Sequence, residues 1–216
     1  MWRACWLAGL TLCLGGCVET TTQERVQQYN EIGVEAYEHG QYRAARESFQ
    51  AALALTPEDV ALLYNIGQCY DRLGDVAKAE QFYQQCLVRS PNHPACRHAL
   101  ADLWVRSGRR PEAEKMIEDW LKREPNLSSA LAEDGWLWHV RGDLPKAHGR
   151  LEQALKLDPH DLRALTELAL VYEELRRPDR ALALYERCLD INPHQPDIAA
   201  RAKQLRQSGV GPPRRE

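Results

Sequence analysis

Five prolines, Pro57, Pro91, Pro125, Pro159 and Pro193, stand 34 residues apart. Gly33, Gly67, Ala101, Gly135 and Ala169 keep the same step, as do Ala45, Ala79, Ala113, Ala147 and Ala181. A fourth series, Gly40, Gly74, Gly108 and Gly142, is broken only at Arg176, and a fifth runs Phe49, Tyr83, Ile117, Leu151, Tyr185. Five series in one register without an insertion describe an array of identical supersecondary units, each burying its apolar face on the next. The composition says which kind. Ala, Leu, Glu, Gln and Arg are abundant, Phe occurs only twice, and β-branched residues are few. These are helix formers, so the units are helical and strands are not expected.

Each series has a physical task. Small residues belong where two helices cross closely, and Gly33 is expected to face Ala45 across its pair. The Gly40 series ends first helices, where a left-handed residue is wanted. Asp75 and Asp143 follow that Gly and can cap the second helix. The large residues of the fifth series fill space between pairs. Pro closes each unit, and Thr56, Ser90, Asp158 and Asn192 before it offer side-chain acceptors to the next helix start. Two departures stand out. Arg176-Arg177-Pro178 replaces the Gly turn, where a left-handed non-Gly residue costs ~1 kcal/mol, so a reshaped turn is expected. Asp134 replaces Ile32, Ile66, Leu100 and Leu168 of the other units, and a buried carboxylate needs a partner such as an Arg on a neighbouring helix.

With Tyr70, Trp104, Trp138 and Tyr172 on the first helices, and Ala36 in the first unit, the chain resembles the tetratricopeptide repeat family over residues 26–195. The units are 26–59, 60–93, 94–127, 128–161 and 162–195. Pro196 to Ser208 continues as a capping helix with Ile198, Ala202 and Leu205 on one face, and 209–216 reads as a disordered tail. The resemblance implies an all-α, right-handed superhelical solenoid of five helix pairs. First helices would line its concave face, where a partner's helix or extended segment lies. In this family the second, fifth, ninth and twelfth residues of the first helix generally face that side. They are Ala95, His98, Asp102 and Val105 in the third unit and Ser129, Ala132, Trp136 and His139 in the fourth. In the fifth they are Arg163, Thr166, Leu170 and Glu173. Trp136 is therefore expected as an exposed groove anchor beside His98, Asp102, Val105, His139, Arg163 and Leu170, with Trp138 taking the core position. The alternative is that Asp134 marks a rotated helix and Trp136 is core. The carboxylate clamp of chaperone-binding members is not expected, because its positions read Asn30, Val34, Asn65, Ala95 and Ala99, and only Asn65 matches.

The N-terminus carries a second signal. Met1-Trp2-Arg3 precedes an apolar run from Ala4 to Leu14, about eleven residues against the ~20 that span a bilayer. Leu14-Gly15-Gly16-Cys17 resembles the lipobox of bacterial lipoproteins. That resemblance implies a signal peptide over 1–16, a fatty-acylated Cys17 and a tether over 17–25. Val18 after the Cys resembles outer-membrane sorting, facing the periplasm. The formal charge of −3 provides no basic field for nucleic acid.

No phosphate loop or nucleophile motif is present, so neither catalysis nor a cofactor is expected. His93, Cys96 and His98 offer three possible ligands within six residues, but the group lacks a fourth and straddles a turn, so no metal site is predicted. Cys86 and Cys188 take the place of Ala52 and Ala154 and read as small packers. Cys86 and Cys96 also lie across a tight helix reversal, where a disulfide is the alternative. The expected function is a lipid-anchored, non-catalytic scaffold of the cell envelope that binds a protein or peptide partner. Pilotin-like lipoproteins assisting secretins of type IV pili resemble it. Docking of peptidoglycan-modifying enzymes, a cytosolic adaptor of the same repeat family and a metal-binding protein are the alternatives.

Overall fold

The computed structural model describes residues 21–211. Cys17 and residues 1–16, and the tail from 212 onward, lie outside the described residues. Eleven helices and no strand are present among the described residues: α1 (Thr22–Glu38), α2 (Tyr42–Leu55), α3 (Val60–Arg72), α4 (Val76–Arg89), α5 (Pro94–Arg106) and α6 (Arg110–Arg123), then α7 (Ser128–Val140), α8 (Leu144–Leu157), α9 (Leu162–Glu174), α10 (Pro178–Ile191) and α11 (Pro196–Gln207). None is long and apolar enough to cross a membrane. Each odd-numbered helix from α1 to α9 packs on the even one after it, and α3, α5, α7 and α9 also touch in succession. The fold is thus a tetratricopeptide-type solenoid with the first helices as its inner layer. Helix α11 closes the last pair, burying Ile198 and Ala202.

The segment expected as a tether is partly helical. Helix α1 starts at Thr22 because Thr21 and Glu24 form a reciprocal capping box, which satisfies two otherwise orphan backbone donors. Asp75 and Asp143 cap α4 and α8 as expected. The residues before the prolines do not cap the following helices. Thr56 donates its hydroxyl back to Ala52 O at 3.2 Å, and Asp59, His93 and Asp161 take the capping role instead.

The small-residue series meets a larger partner in addition to the one expected. A Cβ on Gly33 would come within 2.5 Å of the Phe49 ring, and one on Gly67 or Gly135 would strike Tyr83 or Leu151 at 2.6 Å. The glycines make room for the large residue sixteen positions on, and a Cβ on Gly135 would also meet Ala147 O at 3.4 Å, the counterpart of Ala45. Phe49, Tyr83, Ile117, Leu151 and Tyr185 are all buried, so each Gly supports a wedge worth several kcal/mol of burial. The Arg176 turn is not reshaped. Arg176 adopts φ 58°, close to the 80° of Gly142. Its closing bonds, Arg177 N to Tyr172 O at 2.9 Å and Arg176 N to Glu173 O at 3.1 Å, match those of the glycine turns. Asp134 reaches an Arg on the paired helix: Arg150 Nε lies 2.8 Å from Oδ2, an ion pair without hydrogen-bond alignment at that buried oxygen. Burial nonetheless pushes its carboxyl up, against the pull of Arg150.

The third pair departs most from the pattern. Trp120 fills the place held by Ala52, Cys86, Ala154 and Cys188, and Arg97 replaces the leucines Leu63, Leu131 and Leu165. The two substitutions go together. The Arg97 guanidinium stacks 4.3 Å from the Trp120 ring and donates to Pro91 O, so a buried cation is held by an aromatic face and a carbonyl. Between the second and third pairs, a disulfide joins Cys86 on α4 to Cys96 on α5, with Cα atoms 6.3 Å apart. Cys69 and Cys188 are free and buried.

Candidate functional site on the concave face

The inner layer has two different halves. Over α1, α3 and α5 it opens into a cavity of about 510 Å³. Tyr37 comes from α1, Tyr64, Gln68, Asp71 and Arg72 from α3, and His98, Asp102 and Arg106 from α5. Helix periodicity places most of these residues on one side, since fifth, ninth and twelfth positions recur at the spacing of one face, and Arg72 and Arg106 follow as thirteenth residues. A smaller hollow of about 320 Å³ continues past Tyr37 and Gln68 to Val34 and Asn65.

The cavity wall is pre-ordered by its own bonds. Arg106 reaches Asp71 at 2.7 Å and Asp102 at 2.8 Å, tying α3 to α5. Arg72 Nε donates to the Tyr37 hydroxyl at 3.2 Å, tying α3 to α1. Gln68 donates to the Tyr64 hydroxyl at 2.8 Å. Burial pushes the Tyr64 phenol up, so it stays a neutral donor and acceptor. The result is a groove with aromatic walls, amide and hydroxyl groups, and balanced charge. Such a surface can hydrogen-bond an extended backbone while packing on its side chains.

Over α7 and α9 the same face is filled. Trp136, expected as an exposed anchor, is only 7 % exposed and packs with Ala101, Ala113, Ile117 and Leu137. The His98 ring meets it edge-on at 4.8 Å, and the Arg163 guanidinium lies 5.7 Å from its centroid. Trp138, expected in the core, is half-buried, with Lys146 4.1 Å from its ring. Trp136 is thus core, while Trp138 packs against the neighbouring apolar cluster and stays partly open to solvent. Among the described residues, the apolar cluster around Trp136 takes in Val105 and not Leu170.

Beside Trp136 runs a polar network that sequence reading missed. Glu133 is 1 % exposed and Glu167 4 %. Arg163 approaches both carboxylates, at 3.5 and 3.3 Å. His98 Nδ1 lies 2.9 Å from Glu133 Oε2 and also 2.9 Å from Arg163 Nη2. One ring nitrogen serves only one of them: protonated, it donates to Glu133, and bare, it accepts from Arg163. His139 presents Nδ1 to Glu167 at 3.1 Å and Nε2 to Glu174 at 3.0 Å. Two carboxylates facing both ring nitrogens are satisfied together only by the imidazolium, and the Glu167 bond, with burial opposing it, raises the His139 pKa. Burial would push Glu167 up, but His139 and Arg163 more than offset it and hold its pKa down.

Of the residues expected at the site, His98 and Asp102 border the open cavity. Trp136, Arg163 and His139 belong to the filled half, and Leu170 is half-buried on α9. Tyr37, Tyr64, Gln68, Asp71, Arg72 and Arg106 were not foreseen. The first four occupy the same fifth, ninth and twelfth places in the first two units, so the signal was present in the register.

A tetratricopeptide repeat family model matches residues 30–94 and 140–196, and a second tetratricopeptide repeat model matches 74–133. The chain belongs to the tetratricopeptide repeat family. Among solved structures it is similar to TTC0263, a thermophilic protein of this repeat class from Thermus thermophilus. Identity is 25 %, 84 % of this chain and 99 % of that one are covered, and the TM-score is 0.63. A tetratricopeptide repeat protein from Parabacteroides merdae shares 19 % identity, with 84 % and 72 % covered and a TM-score of 0.50. No curated protein matches the chain. Membership of this family supports a protein–protein interaction scaffold.

Proposed function

We propose that this protein is a non-catalytic scaffold that holds an extended segment of a partner protein over α1, α3 and α5. The observation that carries this reading is the 510 Å³ cavity, whose walls are tied in place by the Arg106 and Arg72 bonds. A rigid groove lowers the ordering cost of binding. The mixture of phenol, amide and guanidinium groups suits a peptide backbone with at least one aromatic or aliphatic side chain.

In this proposal Cys17 carries lipid and places the scaffold at the outer membrane, facing the periplasm, by resemblance of Leu14-Gly15-Gly16-Cys17 to a lipobox. More than one acyl chain is needed for stable anchoring. The partner classes that follow from the resemblance are a secretin of a type IV pilus and a peptidoglycan-modifying enzyme.

A photo-cross-linking residue at position 68, inside the cavity, tests the groove in cells. It should give one discrete adduct, whereas the same residue at position 88, exposed on α4, should give none. Mass spectrometry of the adduct separates the partner classes. Equal patterns from both positions would rule the cavity out. Independently, Cys17→Ser should abolish fatty-acid labelling and leave an uncut precursor; normal labelling would remove the lipoprotein assignment and leave the groove standing.

A further inference from the structure

Cys86, His93 and Cys96 bring one ligand atom each to a single point, all within 4.8 Å of one another. The sequence grouping of His93, Cys96 and His98 is therefore replaced by another. His98 turns into the concave face, and Cys86 arrives from α4 in its place. We propose that the reduced form of this chain binds a zinc-class divalent cation through Cys86 Sγ, Cys96 Sγ and a ring nitrogen of His93, in place of the Cys86–Cys96 disulfide.

The dimensions fit. Donors on one tetrahedral zinc ion, at ~2.3 Å for sulfur and ~2.0 Å for nitrogen, lie about 3.5–3.8 Å apart. The sulfurs must open from a bonded ~2.05 Å to about 3.8 Å, roughly 1 Å of movement each, and the ring moves in by about 1 Å. The Cα separation of 6.3 Å permits that without moving a helix. Both cysteines are fully buried and His93 is half-buried, which leaves the fourth position open for water from the His93 side. Three protein ligands plus water is a common zinc pattern.

Charge and bonding also fit. Cys96 lies in the first turn of α5, where the helix N-terminus favours a thiolate. Two thiolates and one divalent ion leave no net charge in the interior. His93 caps α5 by accepting the Cys96 N–H at 3.3 Å. That already requires an unprotonated ring nitrogen, and the contact is long enough that little is lost when a metal takes the lone pair.

The chemistry balances. A dithiol reductant gives two electrons and two protons to the Cys86–Cys96 bond, which becomes two thiols while the reductant closes its own disulfide. One zinc ion then displaces both protons. Either link joins α4, which carries Tyr83, to α5, which carries His98, so the cavity wall stays braced in both redox states.

The experiment reduces the purified chain with a phosphine, which leaves as its oxide with oxygen from water and does not hold zinc. Cobalt is then titrated and displaced with zinc. The reduced chain should take up one equivalent, with thiolate-to-cobalt absorption and tetrahedral visible bands, and the disulfide form should take up none. Cys86→Ala keeps the fold, because Ala52 and Ala154 hold the same place in other units, and it should lose the absorption. His93→Asn keeps a good helix cap and should weaken binding roughly 100-fold, since even an outer-shell partner is worth 10–100-fold. Undiminished cobalt binding in Cys86→Ala or His93→Asn, or none in the reduced wild type, overturns the proposal.

Discussion

Gln68 and Trp136 occupy the same place in the repeat, the ninth residue of the first helix, two units apart. Gln68 is half-buried, bonded to Tyr64, and borders open space. Trp136 is buried under His98 and Arg163. Both sit on the first helix of an equivalent pair, but α7 packs more closely on α9 than α3 does on α5, so helix packing and side chains differ together. In the N-terminal half, Tyr37, Gln68, Asp71 and Asp102 are polar and bond along the wall, and they border open space. In the C-terminal half, a large ring fills the hollow, and two buried glutamates draw Arg163, His98 and His139 over it. Desolvating those glutamates is costly, and the surrounding cations offset the cost only as a set. One half of the inner layer is thus hollow and the other a buttress.

The sharpest way to break that contrast is to truncate the two ninth residues in parallel. Trp136→Ala should lower stability by about 4 kcal/mol, the usual cost of emptying a buried aromatic site. For a chain of this length that is a fall of roughly 10 °C or more in melting temperature. Gln68→Ala should change stability by no more than about 0.5 kcal/mol while weakening the cross-link formed in the groove from a neighbouring position such as 64. Similar melting shifts from the two variants would mean that the halves do not differ.

Arg163→Ala tests the buttress directly. It leaves Glu133 and Glu167 buried with fewer cations, and removing one partner of a buried ion pair costs about 3 kcal/mol. Because Arg163 is itself partly exposed, water can enter and soften the loss. Restoring neutrality with Glu133→Gln in the same chain should recover part of it. If the double variant is as unstable as the single one, Arg163 acts by covering Trp136 and not by its charge.

These two experiments also mark where the sequence is readable. Helix order and register follow from the Pro, Gly and Ala series, because each residue's constraint lies within its own pair. The left-handed glycines and the Asp75 and Asp143 caps are local for the same reason. The Phe49 series is legible as bulk, but its close contact with Gly33 is not. Spacing shows which side of a helix a residue takes but not how far a ring reaches. Trp136 failed for a longer-range reason. The register identifies the face it points to, but its cover comes from His98 and Arg163, which are 65 residues apart in sequence. Glu133 and Glu167 share their sixth place with Glu31, Asn65 and Ala99, and such a mixed series gives no sign of burial.

His139 separates the halves by pH. Its folded pKa is raised above 6.5, so its contribution is complete below about pH 6.5 and is lost as pH rises through the folded value. Glu167 has the opposite sense. Its pKa is held below 4.5, so its contribution is present above that and is lost in acid. Stability of the C-terminal half should therefore fall as pH rises above 6.5. His139→Gln should cost about 1.5 kcal/mol at pH 6, as for a charged hydrogen bond, and less at pH 8.5. Hydrogen exchange on α7 and α9 reads this without averaging over α1 to α4. A pH slope of equal size in His139→Gln would assign it to another group.

The smallest effect concerns the turns that set the helix pairs. Gly142 and Arg176 close first helices with the same bonds, at φ 80° and 58°. An L-residue there carries strain of ~1–2 kcal/mol, while glycine loses about 0.5–1 kcal/mol through its greater freedom in the unfolded chain. Arg176→Gly should therefore stabilise by about 0.5–1 kcal/mol, or roughly 2 °C. Gly142→Ala has open space around the new Cβ, so it should lose about 1 kcal/mol through conformation alone. Arg176→Ala keeps the strain and removes the exposed side chain, so it should be near neutral. Measured together, the three variants isolate the backbone term at matched turns of the fourth and fifth pairs. If Arg176→Gly destabilises while Arg176→Ala does so equally, the Arg176 side chain holds the end of α9, and the fifth pair depends on a contact that the glycine turns lack.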